Sequence, residues 1–182
     1  MDLRRLDLEG VIELRPPKFQ DDRGFFSETY NSGVLKRAGV ETKFVQDNHS
    51  LSGSRGTLRG LHYQLAPFPQ EKLVRVVRGA IFDVAVDIRR SSPTFGKWVG
   101  CLISAKDWNQ LLIPVGYAHG FVTLEDNTEV IYKVSDFFSR EHDRSIRFDD
   151  PQISIEWPIE EITNISEKDR SAPLLKDADV FA

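Results

Sequence analysis

The sequence predicts an all-β protein, an antiparallel sandwich or barrel, and three observations carry that expectation. Short runs rich in β-branched and aromatic residues recur at regular spacing, separated by turn residues. In the best of these runs apolar and polar side chains alternate with the period of two that a strand imposes. Helical patterning is confined to a few short peripheral pieces.

Taken in order, the first expected strands are Val11–Leu14, Phe25–Tyr30, Phe44–Val45 and Leu58–Gln64. Ser32 is expected to cap a short helix over Val34–Ala38, closed by Gly39. The segment Lys72–Arg89 carries the clearest signal, with Leu73–Val77 and Ile81–Ile88 flanking a turn at Arg78–Gly79. In its second run Phe82, Val84, Val86 and Ile88 share one face, and Asp83, Ala85 and Asp87 share the other. A face of acids and a small residue suits the wall of a polar cavity. Further strands are expected at Trp98–Ile103, Gln110–Ile113, Gly120–Leu124, Glu129–Val134 and Ser145–Phe148. Breaks fall at Ser91-Ser92-Pro93, Pro114-Val115-Gly116 and Glu125-Asp126-Asn127. A second short helical piece is expected at Glu160–Ile162 or within Ser166–Arg170. No repeat, low-complexity segment or linker interrupts the pattern, so residues 1–182 read as a single domain.

Lys and Arg number 24 against 28 Asp and Glu, a net charge of -4. The surface as a whole therefore does not suit nucleic acid or an anionic membrane, and an anionic ligand would need a local basic cluster. The lone cysteine, Cys101, cannot form an intrachain disulfide. Its apolar surroundings, Val99–Ile103, suit a packed strand residue better than a nucleophile. The charged start Met1–Asp7 is not a signal peptide, and no apolar run approaches the roughly 18 residues of a membrane span, so the cytoplasm is expected. Asn164-Ile165-Ser166 matches a glycosylation acceptor, which means nothing in a protein that is not exported.

Two clusters carry the chemistry. The first runs Gly56-Thr57-Leu58-Arg59-Gly60-Leu61-His62-Tyr63-Gln64, followed by Gln70-Glu71-Lys72-Leu73-Val74. The second is Ile113–Phe121, with Pro114, Gly116, His119 and Gly120. Their order and glycine and proline placement resemble the two halves of a cupin jelly roll. Metal-binding cupins carry a His-x-His pair in the first half, whereas here the triplet is His62-Tyr63-Gln64. A three-ligand metal site is therefore not expected.

A more specific resemblance follows. Asp22-Arg23-Gly24-Phe25-Phe26-Ser27-Glu28, Phe44-Val45-Gln46-Asp47-Asn48-His49-Ser50 and Leu58–Gln64 resemble the dTDP-4-dehydrorhamnose 3,5-epimerase family. So do Lys72-Leu73-Val74, Asp83–Asp87, Ser92–Gly96, Pro114–Phe121, Tyr132-Lys133, Asp150-Pro151 and Ser166–Asp169, in order along nearly the whole chain. The resemblance implies a substrate, dTDP-4-dehydro-6-deoxy-glucose, inversion at C3 and C5, no cofactor, and a homodimer. Both carbons flank the C4 ketone, so each proton leaves through an enolate. Such chemistry needs a base, a group that stabilises the enolate oxygen, and an acid on the opposite face. Histidine, with an ordinary pKa of about 6.5, is a competent base at neutral pH. By resemblance that base is His62, oriented by Asp169; Lys72 serves the enolate and Tyr132 is the acid.

The resemblance also assigns the binding half. Arg23, Gln46, Asp47, Asn48 and Arg59 fall at positions that hold the nucleotide diphosphate, where arginine offers a planar fork. Glu28 and His119 are carried over as contacts to nucleotide and sugar, with Asp143 and Lys168 more peripheral. Phe138 stands where the family commonly has a tyrosine against thymine; it keeps the stacking face and loses the hydroxyl. Arg59 and His62 lie three apart, so a regular strand would point them to opposite faces. A bulge, a strand start or service to a neighbouring subunit would resolve this.

Each residue also has a plainer reading. Lys72 could be a solvated strand end, Tyr132 a core aromatic, His119 a turn residue and Asp169 part of a helix cap; His49 and His142 have no supporting neighbours. Other functions remain open at this point. They are a mono-epimerase or 3,4-ketoisomerase on the same scaffold, a metal-dependent cupin oxygenase, and a non-catalytic sugar-nucleotide binding module.

Overall fold

The computed structural model describes residues 1–182. Its strands are β1 (Asp2–Arg5), β2 (Ile12–Arg15), β3 (Phe19–Asp21), β4 (Gly24–Phe26), β5 (Gln46–Ser52), β6 (Thr57–Gln64) and β7 (Lys72–Arg78). They continue as β8 (Ala80–Asp87), β9 (Trp98–Ser104), β10 (Gln110–Ile113), β11 (Tyr117–Thr123), β12 (Thr128–Val134), β13 (Asp143–Ser145) and β14 (Asn164–Ile165). The helices are short, α1 (Ser32–Arg37) and α2 (Glu167–Arg170), with one 3₁₀ turn at Leu175–Asp177. One sheet runs β1-β2-β10-β7-β12-β5 and the other β13-β6-β11-β8-β9, with β14 parallel beside β6. The remaining pair, β3 and β4, forms a separate hairpin. This is the expected jelly-roll sandwich of the cupin type.

Alternation explains the layers. Val74 and Val76 of β7, Ile81 and Ala85 of β8, Leu111 and Ile113 of β10, Phe121 and Val130 pack together as one buried cluster. Each of the valine, leucine, isoleucine and phenylalanine side chains among them is worth about 1.5–3 kcal/mol when fully buried. The opposite face of β8, with Val84 and Val86, packs instead with Leu61, Ile88, Ile146, Ile153 and Leu175. On the other sheet Ile12, Leu14, Leu73 and Leu112 are covered by Leu35 of α1 and by Val40.

Several expectations need correction. The face of β8 carrying Asp83, Ala85 and Asp87 is not a cavity wall: Ala85 packs in the core, and both aspartates are fully buried. Asp87 instead accepts from Arg89 Nη2 at 2.8 Å and from the Ser92 and Thr94 hydroxyls at 2.6 Å each. The cap of α1 is Asn31, not Ser32; its Oδ1 accepts the Val34 amide at 3.1 Å, an arrangement worth about 1 kcal/mol. The strand expected at Phe44–Val45 is Gln46–Ser52, and that expected at Phe25–Tyr30 ends at Phe26. The strand placed at Ser145–Phe148 is Asp143–Ser145, and β1, β3 and β14 have no counterpart among the expected strands. Of the two late helical positions, only the one after Ser166 forms: the Ser166 hydroxyl accepts the Asp169 amide at 3.1 Å.

Candidate active site

Two adjoining cavities, of about 380 and 290 Å³, share His62, Lys72, Tyr132 and Lys168 and form one cleft. The larger part also takes in Ser50, Arg59, His119, Asn164, Ser166 and Asp169; the smaller adds Gln46, Asn48, Phe138 and Asp143. Its two walls come from different sheets, β5, β7 and β12 on one side and β6 and β11 on the other.

Strand β6 delivers Arg59 and His62 to the same cleft through a bulge. Across the β6–β11 pair, His62 faces His119 and Arg59 faces Phe121, so three steps on β6 match two on β11. The extra residue reverses the alternation. Gly60 makes the close approach possible: its φ is +125°, and a Cβ there would lie 2.5 Å from the Gly120 Cα and 2.8 Å from the His119 carbonyl oxygen.

His62 Nε2 donates to Asp169 Oδ1 at 2.6 Å, and the Gly60 amide donates to Asp169 Oδ2 at 3.3 Å. Burial pushes the Asp169 carboxyl up, yet the hydrogen bond and charge of His62, with the Gly60 amide, hold it below the usual carboxylate range. Helix α2, capped by Ser166, is what presents Asp169.

Lys72 opens β7 and is buried, 7 % exposed, with its Nζ donating to the His62 carbonyl at 3.1 Å. Burial lowers its pKa to about 8 against the upward pull of Asp83 and Asp143. Tyr132 lies on β12, opposite Asn48 on one side and Val74 on the other. Burial raises the pKa of its hydroxyl, partly offset by Arg59, so the phenol keeps its proton at neutral pH. Arg59 is steadied by the Ser52 hydroxyl at 3.2 Å and the Leu51 carbonyl at 3.1 Å. His119 is buried, and its Nε2 meets Asp83 Oδ1 at 2.5 Å. Burial lowers its pKa, with Asp83 pulling the other way and Lys72 and His62 adding to the fall.

Gln46 and Asn48 face the cleft from alternate positions of β5 and are tied together, Gln46 Nε2 donating to Asn48 Oδ1 at 2.9 Å. Gln46 Oε1 accepts the amide of Phe138, whose ring is exposed. Lys168 and Asp143 form an ion pair on the cleft.

Three expected site residues lie elsewhere. Asp47 points to the other face of β5, where it pairs with Lys133 at 2.8 Å. Arg23 sits at the tip of the β3–β4 hairpin with its side chain 89 % exposed, paired with Asp21. Glu28 accepts from Asn31 Nδ2 at 3.0 Å, away from the cleft. Conversely Ser50, Asn164 and Ser166 line the cleft and are not among the expected site residues. Ser50 was accessible by continuing the alternation of Gln46 and Asn48. The position that a metal cupin gives to its second histidine is filled by Gln64, which is buried and bonded to the Phe68 and Phe137 carbonyls and the Ser139 amide.

Proton donors and acceptors that face one another from two sheets can move protons on carbon. The fold is of the cupin type, and the family into which the sequence falls makes the protein an isomerase. A family model described as dTDP-4-dehydrorhamnose 3,5-epimerase matches residues 5–177. The Pseudomonas aeruginosa dTDP-4-dehydrorhamnose 3,5-epimerase is 50% identical over 182 residues, covering 100% of this chain and 99% of that one. The chain belongs to the dTDP-4-dehydrorhamnose 3,5-epimerase family, and it is an epimerase.

Solved structures agree with that placement. The dTDP-6-deoxy-D-glucose-3,5-epimerase of Legionella pneumophila, in complex with dTDP-4-keto-L-rhamnose, is similar with a TM-score of 0.93. Its identity is 42%, and the match covers 98% of this chain and 94% of that one. The Bacillus anthracis dTDP-4-dehydrorhamnose 3,5-epimerase, with TDP and PPi bound, gives a TM-score of 0.92 at 46% identity, covering 95% and 98% of the two chains.

Proposed function

We propose that this enzyme converts dTDP-4-dehydro-6-deoxy-D-glucose to dTDP-4-dehydro-L-rhamnose, a step toward dTDP-L-rhamnose, by moving protons at C3 and C5. The observation that carries the reading is the arrival of His62 and Tyr132 in one cleft from opposite sheets, with buried Lys72 lining the same space. His62 takes the proton next to the C4 ketone, and Asp169 stabilises the imidazolium that results. Lys72 offers its ammonium to the enolate oxygen, a preorganised contribution of about 3 kcal/mol. Tyr132 returns a proton from the far side, which turns deprotonation into inversion. Arg59, Gln46, Asn48 and Lys168 serve the nucleotide diphosphate, with His119 nearer the sugar and Phe138 as the stacking face for the base. The chain's own groups supply each of these steps.

The same reading places a homodimer in the cytoplasm, with residues 1–182 acting as one unit. Phe19, Phe25 and Phe26 are exposed on the hairpin that carries Arg23. A second copy covering these rings would shield them and bring Arg23 and Glu28 toward its own cleft. Cys101 is a buried free thiol, in keeping with a reducing compartment.

The test is product configuration, followed by proton NMR on dTDP-4-dehydro-6-deoxy-glucose with the wild type and His62→Asn. Both centres inverted by wild type alone is the expected result. Inversion at one carbon makes the protein a mono-epimerase, and undiminished inversion by the variant overturns the assignment of the base.

A further inference from the structure

Asp83 is fully buried, yet only half of its carboxylate is used. Oδ1 meets His119 Nε2 at 2.5 Å, while Oδ2 is sealed from solvent without a hydrogen-bond partner. Such orphaned acceptors are rare in folded proteins and call for a physical reason. His119 does not supply one, since a single oxygen satisfies its N–H.

Lys72 has the complementary surplus. Its buried ammonium spends one N–H on the His62 carbonyl at 3.1 Å and has no other partner within the chain. Burial is the largest influence on Lys72 and opposes its charge; Asp83 is the largest influence that favours it. The other titratable or charged groups of the cleft are Arg59, His62 and Tyr63 on β6, His119 on β11, Tyr132 on β12, Asp143 on β13, and Lys168 and Asp169 on α2. Among them Asp143 favours the Lys72 charge and Lys168 opposes it, and these two are paired with each other. Asp83 has no lysine or arginine paired with it, and it shares its face of β8 with Ile81 and Ala85, which lie in one buried cluster with Val74 and Val76 from the same face of β7 as Lys72.

We propose that Asp83 is a positioning residue whose free carboxylate oxygen keeps Lys72 protonated beneath the cleft, without itself touching the substrate. The coupling is electrostatic and acts across the sandwich, from β8 of one sheet to the start of β7 in the other. It also accounts for the unpartnered oxygen: a donor placed on Oδ2 would draw negative charge away from the ammonium. Its catalytic consequence rests on the role proposed above for Lys72, whereas the charge coupling does not.

The experiment is an NMR titration of full-length protein labelled with ¹³C at lysine Cε, with the Lys72 signal assigned by its absence in Lys72→Arg. In Asp83→Asn the Lys72 titration is expected to fall by about one pH unit or more, as loss of a near counter-charge requires. Asp83→Ser gives the same reading should the asparagine variant fail to fold. In His119→Gln, which keeps the carboxylate, the Lys72 titration is expected to hold its wild-type position. A titration unmoved in both Asp83 variants overturns the proposal, and so does an equal fall in His119→Gln. The alkaline limb of substrate deuterium exchange is recorded alongside. If the titration falls and that limb stays in place, the coupling stands and the assigned role of Lys72 is what fails.

Discussion

His62 and His119 stand directly opposite one another on β6 and β11, and each imidazole is tied through Nε2 to a carboxylate of its own. Their surroundings separate their duties. The His62 side chain is 33 % exposed and opens on the cleft, while His119 and Asp83 are 7 % and 0 % exposed. Burial, Lys72 and His62 all oppose a charge on His119, so it is held as a neutral contact group. His62 is the member of the pair that a substrate proton can reach.

If Asp169 stabilises the imidazolium, Asp169→Asn keeps the ring in place and loses the charge. Deuterium uptake from heavy water into substrate is expected to slow by about 10²- to 10⁴-fold, the usual range for acid–base assistance. A variant with an unchanged melting temperature and an undiminished rate contradicts this.

Tyr132→Phe separates the two proton transfers. Since His62 remains, exchange at the carbons beside the ketone should persist with the original configuration, while inversion falls by about 100-fold or more. Product configuration and isotope content read from the same NMR sample decide it. Inversion at wild-type rate shows that the far-side proton has another source.

Lys72 sets stability against activity. Its pKa in the folded protein is about 8 rather than the ordinary 10.5. Below pH 8 it is charged in both folded and unfolded chains, and the folded state bears the whole desolvation penalty. Between 8 and 10.5 the unfolded chain binds a proton that the folded one has released, so stability rises with pH through that window. Lys72→Met removes that penalty but also leaves the buried Asp83 carboxylate without its counter-charge, so what the shift predicts is a change with pH: between pH 8 and 10.5 the wild type is expected to gain about 1–3 kcal/mol on the variant in urea denaturation, while the variant does not epimerise. Above pH 10.5 the difference should level off. A difference between the two proteins that is the same at every pH contradicts the account.

The hairpin predicts complementation between protomers. Arg23→Ala and His62→Asn each disable every site in their own homodimers. If the arm crosses to the partner, a mixed dimer gathers both lesions in one cleft and leaves the other intact. Unfolding and refolding the two variants together should then restore about a quarter of wild-type activity for random pairing. Recovery no greater than the sum of the separate variants places Arg23 and His62 in the same protomer's site.

Gly60 is expected to tolerate no side chain. Gly60→Ala would set a Cβ 2.5 Å from the Gly120 Cα at a φ of +125°. A loss of about 3 kcal/mol or more in urea denaturation follows, because backbone lies on both sides of the clash. A fully stable alanine variant contradicts the geometry of the bulge.

Much of this is legible in the chain because the signals are local. Alternation in β7 and β8 declares the sandwich, and the glycine-flanked histidine segments declare the two halves of the roll. Strand β5 escapes hydropathy because its inward residues, Gln46, Asn48 and Ser50, face a polar cleft rather than a core. The neighbouring motif position Asp47 looks equivalent in sequence, yet the period of two turns it outward to Lys133. The convergence of Arg59 and His62 depends on the register of β11, which no reading of β6 alone contains. The spacing of Asp83 suits a cavity wall, and only the packing of two sheets shows it sealed behind His119.

The most direct measurement of the central claim is proton NMR in heavy water with dTDP-4-dehydro-6-deoxy-glucose and protein treated with a chelator. Deuterium at both C3 and C5 with the wild type, lost in a folded His62→Asn variant, is the predicted result. Exchange that survives the loss of His62, or that returns to the wild type only when a metal ion is added, would contradict it.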